Sequence, residues 1–178
     1  LSFHPAPEGH GIKFRRTDLE GEPIVHADVD NVFDTSRGTS LRENGAEIHT
    51  CEHALAAVRG LQIDNVLIDL NQSEPPIKDG SSKFFIEALE KAGIKEQKAD
   101  REYLEISENI VYTDAERKVE MIAIPSEHFK VSVMINFETR VLGTQYAVLE
   151  KITDFRDEIS NSRTFVFLHE LEFLLENN

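Results

Sequence analysis

No stretch of this chain approaches the ~20 consecutive apolar residues of a membrane-spanning helix, and no charged-then-apolar leader opens it. The compartment this implies is the cytoplasm. Cysteine is almost absent: Cys51 stands alone, which excludes an internal disulfide framework and fits a reducing setting. Basic residues are few, 19 Lys and Arg against 33 Asp and Glu, for a formal charge of -14. That balance excludes broad binding to nucleic acid, which needs clustered cations to neutralise phosphates. An anionic ligand therefore needs a local basic pocket. Nothing matches the Gly-rich phosphate loop of nucleotide-binding α/β proteins, and no internal repeat stands out.

What is present is enough for one good core or two small ones: 178 residues, 40% of them hydrophobic, with eleven Phe. Leu1-Ser2-Phe3 reads as the end of a strand, and residues 11–15 and 23–27 are short β-leaning runs. Residues 34–39 form a strand-and-turn segment. Val66-Leu67-Ile68-Asp69-Leu70 is the clearest strand of the first half. The loop 74–81 holds Pro75, Pro76 and an Asp79-Gly80 turn, and Ser81 or Ser82 caps a helix that Gly93 ends. The charged segment 95–101 marks a boundary between domains 1–98 and 99–178. In the second half, Phe129, Val131, Val133, Ile135 and Phe137 alternate with polar or exposed positions as in a half-buried strand, with residues 119–124 as its partner. Phe155 and Ile159 are spaced for a helix, residues 163–167 read as a strand, and Leu168, Leu171, Phe173, Leu174 and Leu175 form an apolar helical face. These signals define an α+β class with antiparallel or mixed sheets.

The chemistry concentrates in His49-Thr50-Cys51-Glu52-His53. Small and apolar residues follow, so a helix starts here with Thr50 as N-cap and ends at Gly60. Glu52 and His53 then share its first turn, where the positive end of the helix dipole keeps an imidazole neutral and fit for a metal. Read with His49, the cluster is H-x-x-E-H, the inverted zinc-protease pattern, in which both histidines bind metal and the glutamate activates water. Spacing alone supports a metallohydrolase and leaves open whether His49 is a ligand. Cys51 reads as a filler on the helix's buried side, with nucleophile or metal ligand as the alternative. The remaining histidines, His4, His10, His26, His128 and His169, have no second ligand type at metal spacing.

The ordered landmarks His4-Pro5-Ala6-Pro7, residues 14–19, Asp34-Thr35, Thr50-Cys51-Glu52-His53, residues 60–65, residues 76–81, Ala92-Gly93-Ile94 and Arg163-Thr164-Phe165 closely resemble one family. It is that of the zinc-dependent UDP-3-O-acyl-N-acetylglucosamine deacetylases (LpxC), metal-dependent amidohydrolases of the committed step of lipid A synthesis. The resemblance covers essentially the whole chain. It implies two α+β domains, each a sheet with a helix pair packed inward, a ribosomal protein S5 domain 2-like layout, with the active site between them. It implies that His53 is one of three protein ligands to Zn2+, that Glu52 is the base, and that Thr164 hydrogen-bonds the tetrahedral oxyanion. On sequence alone Thr164 is only a strand threonine. Phe165 and Phe167 resemble aromatic residues along the nucleotide-sugar path, although alternation equally allows core packing.

The family's other ligands, a His and an Asp four residues apart, and its second catalytic histidine have no counterpart in this sequence, nor has its opening Gly-Leu-His segment. The chain therefore reads as an internal fragment with a truncated second domain, inactive alone because one histidine cannot hold catalytic zinc. In the family reading His49 is a surface or supporting residue. A metal-free binding module is the third reading. Residues 28–38 and 167–172 look most like Bacteroidota versions, in which the deacetylase is often fused to a hydroxyacyl-carrier-protein dehydratase.

Overall fold

The computed structural model describes residues 1–168, 171, 175 and 176. His169, Glu170, Glu172, Phe173, Leu174, Asn177 and Asn178 lie outside the described residues, and with them part of the apolar face expected at the end of the chain. The chain divides into two compact units, one of residues 1–98 together with those from Phe155 onward, the other Ala99–Asp154. The class is mixed α+β, with several small sheets and short helices.

In the first unit, β1 (Ser2–Pro5), β2 (Ile12–Arg16) and β3 (Ile24–His26) share a sheet with a later strand, while β4 (Val32–Asp34), β5 (Ser40–Glu43) and β6 (Ala46–Ile48) form a second sheet in that order. Helix α1 (Glu52–Gly60) follows, then β7 (Val66–Leu70) and α2 (Lys83–Ala92). The first sheet runs β1-β7-β2-β3, with β2 parallel to β7 and the other pairings antiparallel. Alternation explains it: Val66, Ile68 and Leu70 are buried while Leu67 and Asp69 are not, and parallel pairing sets Phe14 beside Ile68. α1 buries Ala54, Ala57 and Val58, and α2 buries Phe85, Ile86 and Leu89 at helical spacing. These faces meet Phe14, Val25, Leu41, Ile48 and Ile68 in one core.

The same register places Arg15 opposite Asp69 on the outer face. Arg15 donates Nε and Nη2 to the two Asp69 oxygens at 2.8 and 2.7 Å, and His4 Nε2 lies 2.9 Å from Oδ2. The guanidinium holds the Asp69 carboxyl below its usual range, chiefly through those hydrogen bonds. A carboxylate depressed in the folded state contributes stability that is full above its unfolded pKa and fades as pH falls through the folded one. Asp69→Asn is therefore expected to be less stable than the parent at neutral pH, with the difference shrinking below about pH 4. Urea titrations at several pH values check this; a gap that does not change with pH contradicts it.

The C-terminal ends of α1 and α2 fall at the expected glycines. α1 ends at Gly60 as expected, with Leu61 capping it by donating its N–H to Ala57 O. Ser82 is the N-cap of α2 without a side-chain capping bond, while Ser81 Oγ accepts the Lys83 N–H at 3.3 Å. Gly93, at φ +85°, closes α2 as expected.

A last helical turn, α3 (Phe155–Glu158), belongs to the first unit, whereas sequence order alone attaches it to the second domain. Its packing is tertiary: the Phe155 ring fills the space left by Gly60, Arg156 pairs with Glu90, and Ser82 Oγ donates to Ser160 O. Residues 163–167 are not a strand, because the Thr164 N–H goes to Gly80 O and not to a ladder.

The second unit consists of two hairpins, β8 (Ile110–Asp114) with β9 (Val119–Ala123), and β10 (Val131–Asn136) with β11 (Thr144–Leu149). The strand at 119–123 thus pairs backwards with β8 and not with β10. Asp114 Oδ1 accepts the Arg117 N–H and closes a short turn, whereas Pro125 stands on the path to β10. All six residues of β10 are exposed, against the expected half-buried strand. Alternation reports a face able to be covered, and a two-stranded ribbon brings no layer to cover it.

Candidate functional site

The backbone before α1 is turned sharply. Thr50 adopts φ +50°, a left-handed conformation uncommon for a β-branched residue, and so is not the N-cap; that place falls to Cys51, with no side-chain cap bond. Glu52 is the first helical residue and His53 the second, so both side chains leave the first turn of α1. Oε2 of Glu52 accepts the Thr39 N–H at 2.8 Å. Its Oε1 stands 3.6 Å from His53 Nε2, too far for a hydrogen bond. His53 is 16% exposed and Glu52 35%, so both can be reached from solvent while their stems are held.

The loop before β5 secures this turn. Asp34 accepts the N–H and the hydroxyl of Ser36, which keeps its carboxyl low and bends the chain toward Gly38 and Thr39. Thr39 O then accepts both the Cys51 N–H and the Cys51 thiol at 3.1 Å. Gly38 passes so close to the helix that a Cβ there would lie 3.0 Å from Glu52 Oε1. Sequence reading missed Gly38 and Thr39, since a backbone donor leaves no compositional trace.

Cys51 is fully buried, and burial, with the charge of Glu52, pushes its thiol up to about 12. A neutral thiol is neither nucleophile nor ready metal ligand, so the filler role stands.

His49 does not join Glu52 and His53. H-x-x-E-H places both histidines on one face only if a helix runs through all five positions, and here the helix begins at Glu52. The His49 ring is instead engaged by Ser40 Oγ at 3.1 Å through Nδ1, by Glu47 Oε2 at 3.3 Å from Nε2, and edge-on by Phe33. Among the described residues no group of three or more His, Cys, Asp or Glu is arranged to hold a metal ion. The inverted-protease reading therefore lacks its ligand pair. At the start of α1 a zinc ion would meet one imidazole, His53, with the Glu52 carboxylate beside it; a catalytic site takes about three protein ligands.

Thr164 sits on the 77–80 turn. Its N–H donates to Gly80 O at 2.8 Å, and Arg163 Nε lies 3.5 Å from Asp79 Oδ2. Asp79 in turn accepts the Ser81 N–H and hydroxyl at 3.1 and 2.6 Å, bonds that hold its carboxyl below the usual range. Phe165 and Phe167 meet edge to face at 5.5 Å, with Phe165 58% exposed, so at least that ring is not in a core. Of the described helices, none is long and apolar enough to cross a membrane.

The model of one protein family, described as UDP-3-O-acyl N-acetylglycosamine deacetylase, matches residues 1–178. The chain is 41% identical over 175 residues to the bifunctional enzyme LpxC/FabZ of Bacteroides thetaiotaomicron, covering 98% of this chain and 38% of that protein. It is 41% identical over 178 residues to the bifunctional enzyme LpxC/FabZ of Porphyromonas gingivalis, covering 100% and 38%. With the UDP-3-O-acyl-N-acetylglucosamine deacetylase of Myxococcus xanthus it shares 39% identity over 175 residues, 98% of this chain and 55% of that protein. The chain thus spans only part of the length of the relatives it matches.

Proposed function

This chain belongs to the UDP-3-O-acyl N-acetylglycosamine deacetylase family, and from that premise we propose that it carries the base, one zinc ligand and the oxyanion donor of a longer deacetylase. The substrate is UDP-3-O-acyl-N-acetylglucosamine, the bond broken is its acetamide, and the reaction is the committed step of lipid A synthesis. The observation that carries the reading is the adjacency of Glu52 and His53 in one helical turn, tethered through Thr39.

His53 contributes an imidazole to Zn2+, and the remaining ligands lie outside this chain. The ion, when bound, supplies a Lewis acid and an acidified water. Glu52 is held by one oxygen on Thr39, which leaves the other to take a proton. The Thr164 hydroxyl donates to the oxyanion, a contact that can be worth about 3 kcal/mol of barrier. Phe165 and Phe167 flank the nucleotide-sugar. The two units belong to two α+β domains of the longer enzyme, the first built on residues 1–98 with the segment from Phe155 onward grouped with it, and the second beginning at Ala99. The protein works in the cytoplasm, and a dehydratase is fused to it, as the names of the bifunctional relatives suggest for this lineage.

The test is release of acetate from UDP-3-O-acyl-N-acetylglucosamine by the full-length protein. Release that stops with a chelator and returns with zinc is the expected result. A metal-loaded, folded protein that leaves this substrate intact overturns the reading.

A further inference from the structure

The 77–80 turn does more than end a loop. Gly80 N donates to Ile77 O at 2.9 Å, and Gly80 adopts φ +80°, a conformation that turns its carbonyl onto the Thr164 N–H. A Cβ on Gly80 would lie 3.0 Å from Thr164 Cγ2 and 3.5 Å from its backbone nitrogen, so the Thr164 methyl packs directly against the bare face of Gly80 and a side chain there would press on it. Among the described residues, no hydrogen bond within the chain engages the Thr164 hydroxyl, and the residue is exposed.

We propose that Gly80 is a positioning residue for Thr164. A threonine Cβ carries a methyl, a hydroxyl and a hydrogen, so seating the methyl over Gly80 fixes χ1, and with it the direction of the hydroxyl. The backbone bond to Gly80 O fixes the origin of that vector. A donor aimed before substrate arrives needs no reorganisation during reaction. The inference rests on the reading of Thr164 as oxyanion donor and adds how that donor is aimed.

The experiment is a double-mutant cycle on kcat and KM for deacetylation by the full-length, zinc-loaded protein. Gly80→Ala is expected to lower kcat by about 10- to 100-fold, since small misplacements of a catalytic group have effects of that order, with KM and zinc content unchanged. Thr164→Ser keeps the hydroxyl and removes the methyl. In that background Gly80→Ala is expected to cost far less, because the backbone strain is common to both backgrounds and only the methyl clash differs. An equal penalty in the two backgrounds overturns the proposal. Full activity in Thr164→Ala is a distinct result that removes the donor role itself. If Gly80→Ala does not fold, three-bond couplings to the Thr164 methyl in the unaltered protein decide: one χ1 rotamer is expected, and rotameric averaging overturns the proposal.

Discussion

Glu52→Gln in the full-length protein is expected to lower kcat by about 10²- to 10⁴-fold, with KM and bound zinc unchanged. Gln has nearly the same shape, and its carbonyl oxygen can still accept the Thr39 N–H that holds Glu52 Oε2 at 2.8 Å. The loop and helix therefore stay docked, and what disappears is the capacity to accept a proton. Steady-state kinetics with metal analysis on the same preparation separate the two. A variant within a few-fold of the parent means that Glu52 is not the base. A loss of zinc in parallel means that Glu52 acts on the ion and not on the proton.

The largest expected effect on stability comes from a single methyl at Gly60. On a free helix, Gly→Ala adds about 1 kcal/mol of stability. Here that Cβ would fall inside van der Waals contact of the Phe155 ring, against Cδ1, Cε1 and Cγ together. An aromatic ring has no flexible end to give way, so the steric cost, about 1–3 kcal/mol or more for such overpacking, exceeds the propensity gain. Gly60→Ala is expected to lower Tm, by about 2–4 °C per kcal/mol at this chain length. In a Phe155→Ala background the sign reverses, and the same substitution stabilises. A thermal-melt cycle measures this; destabilisation of equal size in both backgrounds contradicts the packing of Phe155 on Gly60.

That contact also shows where sequence reading stops. A glycine closing an alanine-rich helix reads as a stop signal, and α1 does end at Gly60, but the reason no side chain fits there is a ring far along the chain, which sequence pattern does not show. Strong local patterns were legible: the alternation of Val66, Ile68 and Leu70, the helical spacing of Phe85, Ile86 and Leu89, and Gly93 as a C-terminal signal. The sheet β4-β5-β6 was mostly invisible, since strands of three or four residues hold too few alternations to read. At β9 proximity in sequence points to β10 as the partner, whereas a turn at Asp114 closes the strand onto β8.

The site was legible in a different measure. Residue chemistry singled out Glu52 and His53, and their helical first turn followed from the residues behind them. The left-handed Thr50 was not foreseen, because nothing local favours a β-branched residue at positive φ. Thr164 came only from family resemblance, and its seat on Gly80 is a long-range contact. The exclusion of His49 needed the helix start to within one residue, which periodicity does not give.

The proposal has His53 holding the zinc of a deacetylase while Glu52, beside it, acts on the proton alone. Metal analysis of the full-length protein, its Glu52→Gln variant and its His53→Ala variant tests this most directly. Zinc retained in the first two and lost from the third, with all three folded, is the predicted result. Zinc retained at full occupancy in His53→Ala contradicts the account.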